Sequence, residues 1–289
     1  MVCALISAAG FGSMAIFAKL AYAEHVSPAT LLFLRFAIAA LLLTPFVLWQ
    51  QRKWPRGAAL WALILMGGGC YTANSQTFFL ALTLASAGTV ALLLYLYPAL
   101  VLLLSALVFK KAIQPTQAGA AILTLIGMAI TLGLDLSGQT LGLVLGIASA
   151  LLYALYILIG DCYARQQDPL TGAVVVFVSA GLSNGGIAAW QGIVLPHSAA
   201  GWGAVLAIAV LGTVLAVACF LIGIRHLGGA NASMVSTVEP IITLVLAALW
   251  LGEAITLSQG LGGLCILAGV FWLGYTQHTS RLLHTELHD

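Results

Sequence analysis

The fold class this sequence predicts is an all-α integral membrane protein: ten transmembrane helices in two inverted five-helix repeats, with both termini in the cytoplasm. Three observations predict it. The 289 residues are 62% hydrophobic and only 6% charged, whereas a water-facing domain usually carries about 25% charged residues. The apolar residues fall into runs near the ~20 needed to cross a hydrocarbon core. A shift of 142 residues lays Phe78 on Phe220, Pro98 on Pro240, Gln117 on Gln259 and Gly127 on Gly269 without a gap. The register holds over roughly fifty residues, and two copies of a unit with an odd number of crossings must face opposite ways.

The expected spans follow one another closely. The first, 2–23, is apolar but lacks a basic leader and a small-residue cleavage site, so it reads as a retained helix. The second, 28–49, ends at a loop holding Arg52, Lys53 and Arg56, flanked by Trp49 and Trp54 as interfacial anchors. The third, 57–81, contains Gly67-Gly68-Gly69, and the fourth, 86–108, contains Pro98. The fifth, 114–133, follows Lys110 and Lys111. The sixth to tenth are 139–161, 170–193, 200–224, 229–251 and 257–276. Short connections make successive helices antiparallel neighbours, and no segment remains for a soluble domain. The whole chain is one transmembrane domain, with repeat one at about 1–134, repeat two at about 143–276 and a cytoplasmic tail at 277–289. The repeats meet near Asp135–Gln139.

Basic residues set the orientation. With the N-terminus inside, the cytoplasmic loops hold Arg52, Lys53, Arg56, Lys110, Lys111, Arg165, Arg225 and Arg281. The outer loops hold only Glu24, Asp135 and Glu253.

Polar groups at mid-depth should face a bundle interior or a water-filled cavity. Tyr71, Asn74, Ser75 and Phe78 share one face of the third helix. The fourth carries Thr89, Tyr95, Tyr97 and Pro98. The sixth aligns Ser149, Tyr153, Tyr156 and Gly160. The ninth aligns Ser233, Ser236, Pro240 and Thr243, with Asn231 near its start. Ordinary close packing explains any one stripe, because small and hydroxyl residues favour helix contacts. Four stripes in equivalent helices point to a shared cavity. The candidate substrate-binding residues are Tyr71, Asn74, Ser75, Phe78, Tyr95, Tyr97, Tyr153, Tyr156 and Ser236.

Three charges lie inside spans: Lys19, Arg35 and Glu239. A central charge costs about 2.5–3.5 kcal/mol on insertion scales, which marks each as a coupling or gating candidate. Lys19 and Arg35 lie toward the outer side, where they serve equally well as anchors or as partners of Glu24. Glu239 is near the midplane, either as a proton-linked or gating carboxylate or as a buried acid bonded to a neighbouring helix. Pro98 and Pro240 each remove the N–H that would reach the carbonyl four residues back. As a matched pair they read as two hinges.

Enzyme chemistry finds no footing. There is no H-E-x-x-H, G-x-S-x-G or Walker loop. Gly160-Asp161 resembles part of an intramembrane aspartyl protease motif, but position 158 is Leu and no second aspartate sits in a suitable span. The five cysteines are scattered without disulfide or zinc spacing. The histidines fall at or beyond helix ends. No catalytic residue, cofactor or metal site is expected. A formal charge of +2 gives no reason to expect nucleic acid. The expected partners are a small-molecule substrate and the lipid bilayer, with the monomer as the working unit.

The chain resembles the drug/metabolite transporter superfamily in its ten-helix EamA-type branch. The resemblance rests on Leu34–Leu43 (LRFAIAALLL), on Ser236-Thr-Val-Glu239-Pro240 and on Leu251-Gly252-Glu253-Ala-Ile-Thr256, after the small-residue stretch Gly228–Ser233. The first repeat departs from it: Tyr97-Pro98 replaces the acidic residue, and Lys110-Lys111 replaces Gly-Glu. Within the branch, the aromatic and uncharged residues are similar to the YddG-type amino-acid exporters. The resemblance implies a cavity between the third, fourth, eighth and ninth helices, with the first and sixth. It also implies an inner-membrane exporter of small metabolites, amino acids including aromatic ones, working by alternating access. The alternative of the same fold is a multidrug, organic-cation or nucleotide-sugar carrier; an intramembrane enzyme or a structural scaffold represents a different class.

Overall fold

The computed structural model describes residues 1–82, 84–85, 87–110, 112–133, 139–164, 167–251 and 254–286, with side chains except at 15, 19, 82, 87, 88, 164, 247, 251 and 276–286. The expected repeat junction at 135–138, together with Lys111, Arg165, Gly252 and Glu253 and the side chains of Lys19 and Arg281, therefore lies outside the described residues. All the extended elements are helical. Helix α1 is Val2–Ala23 and α2 is Pro28–Trp49. Helix α3 runs over 58–82 as Ala58–Ile64, a π-helical stretch Leu65–Tyr71, and Thr72–Leu82. Helix α4 is split into Ala87–Leu94 and Tyr97–Phe109, and α5 is Pro115–Leu132. Helix α6, Thr140–Ile159, continues into a π-turn Gly160–Ala164, and α7 is Pro169–Gln191. Helix α8 comprises Ala199–Ala209, a π-stretch Val210–Leu215 and Ala216–Leu227. Helix α9 is split into Gly229–Ser236 and Glu239–Leu251, and α10 is Leu257–Glu286.

Local chemistry sets these boundaries. Ser27 accepts from the Thr30 N–H at 3.2 Å with Pro28 in the first turn of α2. Asp168 accepts from the Leu170 and Thr171 N–H groups ahead of α7, and Ser198 caps α8 through Gly201. Each cap satisfies donors that the first helical turn leaves unpaired. Gly228 ends α8 at φ +80°, a left-handed conformation that glycine adopts without a Cβ clash.

Nine of the described helices are long and apolar enough to cross a membrane. Helix α3 is not among them, in contrast to the expected ten. Its length suffices, but Thr72, Asn74, Ser75, Gln76 and Thr77 dilute its apolarity. The outer surface is apolar: Leu41, Trp61, Leu107, Leu182, Leu249 and Phe271 are each at least 70% exposed. Such a surface is stable against lipid and not against water. The chain is an integral membrane protein.

The packing has a two-fold pattern. Helix α1 packs on α8 and α9 as α6 packs on α3 and α4, while α2–α7, α5–α10 and α4–α9 are self-related pairs. Glycines permit the close approaches. A Cβ on Gly67 would collide with the Val176 carbonyl and the Ser179 hydroxyl of α7. One on Gly12 would meet the Glu239 carbonyl at 2.8 Å. Gly142 and Gly146 lie against the α3–α4 region, and Gly181 and Gly185 lie against α2.

Candidate functional site

The two split helices form the centre. The break in α4 falls at Tyr95–Leu96 and the break in α9 at Thr237–Val238, each 142 residues from its counterpart. Pro98 lies in the first turn of the second α4 segment, and Pro240 is the second residue of the second α9 segment. The prolines therefore open new half-helices after a turn, where a missing N–H is tolerated, and do not bend a continuous one. Gly12 and Thr243 tie the α9 junction to α1, with the Thr243 hydroxyl donating to the Gly12 carbonyl at 2.9 Å.

The halves of α4 and α9 meet unequally. The second half of α4 packs on the first half of α9, and the first half of α9 also touches α6. Among the described residues, the reciprocal halves make no comparable contact. The joined halves end beside Lys110 and Arg225, on the basic side that the expected orientation assigns to the cytoplasm. Tyr97 closes the joined side by donating to the Ser233 carbonyl at 3.4 Å. Gln117 of α5 donates to Asn231 at 3.1 Å.

Aromatic rings bridge the interior. Phe36 meets Tyr71 at 5.2 Å between centroids, Tyr71 meets Tyr156 at 5.6 Å, and Tyr156 meets Tyr153 at 5.8 Å. Tyr153 then meets Tyr97 at 4.6 Å, and Tyr97 meets Tyr95 at 6.3 Å. Helices α2, α3, α4 and α6 each contribute, and edge-to-face geometry recurs along the series, as ring quadrupoles favour. Glu239 of α9 lies within electrostatic reach of Tyr95, Tyr97 and Tyr153. No side-chain hydrogen bond to Glu239 is made by the described residues.

The remaining expected site residues divide. Asn74 donates to the Ser149 carbonyl at 2.8 Å and the Ser149 hydroxyl at 2.9 Å, so its amide joins α3 to α6. Ser75 and Ser236 donate back to the Tyr71 and Ala232 carbonyls of their own helices. Phe78 pairs with Phe79 and stands apart from the ring series. Arg35 is 3% exposed and donates to the Tyr71 hydroxyl at 2.6 Å, with its guanidinium 4.5 Å from the Phe36 ring centroid. It does not pair with Glu24. That carboxylate accepts from the Ser198 hydroxyl at 2.6 Å and from the Ser198 and His197 N–H groups. Those bonds, led by the Ser198 hydroxyl, hold Glu24 below the usual carboxylate range.

A shallow, open recess of about 610 Å³ lies where α2, α3 and α7 meet, beside Pro28, Gln76, Phe79 and Gln191. It does not lie among the tyrosines, which contact one another in this conformation. Sequence reasoning missed a buried polar junction below it. Asn184 donates to the Thr72 hydroxyl at 3.1 Å, and Gln76 reaches Asn184 at 3.4 Å. It also missed the π-stretches, in which Thr72 donates to the Gly67 carbonyl and Thr213 to the Ile208 carbonyl, both five residues back. A threonine within a turn or so of glycine in corresponding helices, Thr72 after Gly67–Gly69 and Thr213 after Gly212, is the signal that was available.

A polytopic helical membrane protein with paired discontinuous helices and a polar interior has the architecture of a solute carrier. The chain belongs to the EamA-like transporter family, whose model matches residues 1–133 and 140–275. It is 30% identical over 290 residues to the uncharacterized inner membrane transporter YicL of Salmonella typhimurium, covering 93% of each chain. It is 27% identical to the uncharacterized transporter YcbK of Bacillus subtilis, over 93% of this chain and 89% of the other. It is 27% identical to the threonine/homoserine exporter RhtA of Escherichia coli K12, over 78% of this chain and 75% of the other. A solved crystal structure superimposes with a TM-score of 0.80 at 18% identity, over 100% of this chain and 98% of its own, a likeness of fold alone.

Proposed function

We propose that the protein is an inner-membrane exporter of amino acids, aromatic ones included, which works as a monomer by alternating access between two inverted repeats at about 1–134 and 143–276. The observation that carries the transport mode is the asymmetry of α4 and α9. Equivalent half-helices are joined on one side of the matched breaks and parted on the other, as expected when one of two exchangeable faces is closed. The amino-acid class rests on the RhtA relatives, and the aromatic members rest on the tyrosine series, whose faces suit an apolar side chain. Inner-membrane placement rests on YicL, whose name is that of an inner membrane transporter. Pro98 and Pro240 act as hinges between half-helices, and Glu239, without a hydrogen-bonding partner among the described residues, acts as the coupling acid. The remaining sequence candidates are assigned by position: Tyr95, Tyr97, Tyr153 and Tyr156 to the substrate, Asn74, Ser75 and Ser236 to the helix packing that frames it.

The test is flux from proteoliposomes loaded with threonine, homoserine, phenylalanine or an organic cation, with and without a pH gradient. Saturable amino-acid flux that protein-free vesicles lack is the expected result. Flux of the organic cation alone would replace the amino-acid reading with the multidrug one.

A further inference from the structure

Among the described residues, Arg35 is a buried cation without an anion. It is 3% exposed, its Nε finds no hydrogen-bond partner, and no carboxylate among the described residues forms an ion pair with it. Its contacts are the Tyr71 hydroxyl and the faces of Phe36 and Tyr71. Ring faces attract a cation, but they do not replace the solvation a guanidinium loses on burial. An arginine inside a membrane span calls for a partner, and the nearest sequence candidate, Glu24, is taken by Ser198.

The pair that Arg35 makes with Tyr71 is a set of donors. Because the Tyr71 oxygen accepts from Nη2, its own proton is left to donate. That proton and the unpaired Nε–H both suit an oxyanion, and arginine binds carboxylates in a fixed fork. Neither Arg35 nor Tyr71 borders the open recess at Pro28, Gln76, Phe79 and Gln191; the pair is enclosed by rings, with Tyr71 8% exposed and its centroid 5.6 Å from that of Tyr156.

We infer that Arg35 and Tyr71 form the carboxylate site of the transported solute, at the end of the tyrosine series. This rests on the exporter reading and names the part of the substrate that is recognised. The guanidinium Nε–H and the tyrosine O–H both bind the carboxylate, and the aromatic faces exclude water around it.

The test is binding to the full chain in lipid nanodiscs, read by calorimetry and by ligand-induced thermal shift. The probes are L-threonine, L-threoninamide (which lacks the carboxylate), lactate (which lacks the ammonium) and tetraphenylphosphonium. Threonine should bind and threoninamide should not. Arg35→Met should weaken threonine at least tenfold, Arg35→Lys should restore part of the loss, and Tyr71→Phe should weaken it several-fold. Without ligand, Arg35→Met should melt no lower than the parent, because it removes an uncompensated charge; a structural cation would lower the melting temperature. Should Arg35→Met fail to fold, Tyr71→Phe decides, since it keeps both ring and cation: undiminished threonine affinity overturns the assignment. Threonine bound equally by parent and Arg35→Met overturns the assignment and leaves the exporter reading standing. Lactate bound through Arg35 with no preference for amino acids supports the site and removes the amino-acid reading. Binding of the phosphonium alone, or of no probe at millimolar concentration, overturns both.

Discussion

The junctions of α4 and α9 occupy equivalent positions and carry opposite chemistry. Around the α4 break stand Tyr95 and Tyr97; around the α9 break stand Thr237 and Glu239. Tyr97 is 1% exposed and reaches across to the Ser233 carbonyl of the other repeat. Glu239 makes no side-chain hydrogen bond to the described residues and is only partly covered. One junction is a clasp and the other is a free acid. On the proposed mechanism the two copies of one backbone device take different tasks: the shared break would supply the motion, and the residue before each proline would decide what the motion responds to.

The largest effect is expected from removing the shared device. Replacing Pro98 and Pro240 together by Ala should slow substrate flux on the order of tenfold while leaving affinity within about twofold, because a hinge acts on exchange and not on binding. Flux at the parental rate would remove the hinge from the account. Next comes the α1–α9 contact. Gly12→Val should destabilise by about 1–3 kcal/mol through overpacking against the Glu239 carbonyl, whereas Gly186→Val, with open space around it, should change the melting temperature little.

The acid itself separates the junctions. Glu239→Gln should flatten the pH response of flux and spare folding, while Tyr97→Phe should leave that response in place. A Glu239→Gln protein with an unchanged pH profile would reduce Glu239 to a packing residue. A smaller effect is expected at the cytoplasmic seam. Asn231→Ala breaks the bond from Gln117, worth about 1 kcal/mol, and should raise labelling of cytoplasm-facing cysteines placed in α4.

The smallest effect belongs to Glu24 at the outer surface. Its bonds to Ser198 and His197 favour the ionised form, so its folded value lies below the unfolded one. The stability it contributes is therefore present above the unfolded carboxylate value and is lost as pH falls through the lowered folded one. Glu24→Gln and the parent should differ in melting temperature at neutral pH and converge on acidification. A difference that persists at low pH would contradict this.

Much of the fold was legible because lipid imposes simple rules. Apolar run lengths located most helices to within a few residues, and the matched prolines located both breaks. What the prolines did not reveal was the turn before each one, since a proline in the first turn of a half-helix and one inside a kink look alike in sequence. Helix α3 was expected as an ordinary span. Its Thr72-to-Gln76 stretch instead lowers its apolarity below that of every other span, because Thr72 and Gln76 are spent on Asn184 and Asn74 on Ser149. The tyrosines were found as candidates from their depth and spacing. Their mutual ring contacts were not, because centroid distances between α3, α4 and α6 depend on how three helices cross. Arg35 was visible as a charge in a span, but that no described carboxylate pairs with it emerges only once Glu24 is seen bonded elsewhere.

The exchange of the two faces is the central claim. In a cysteine-free background, spin labels at Val108 and Ala230 would report the cytoplasmic separation of α4 and α9, and labels at Ala91 and Trp250 the outer one. Electron–electron distance measurements in nanodiscs, with and without saturating substrate, should show a second population in which the cytoplasmic distance lengthens as the outer one shortens. Distances that stay fixed, or that lengthen together, would contradict alternating access.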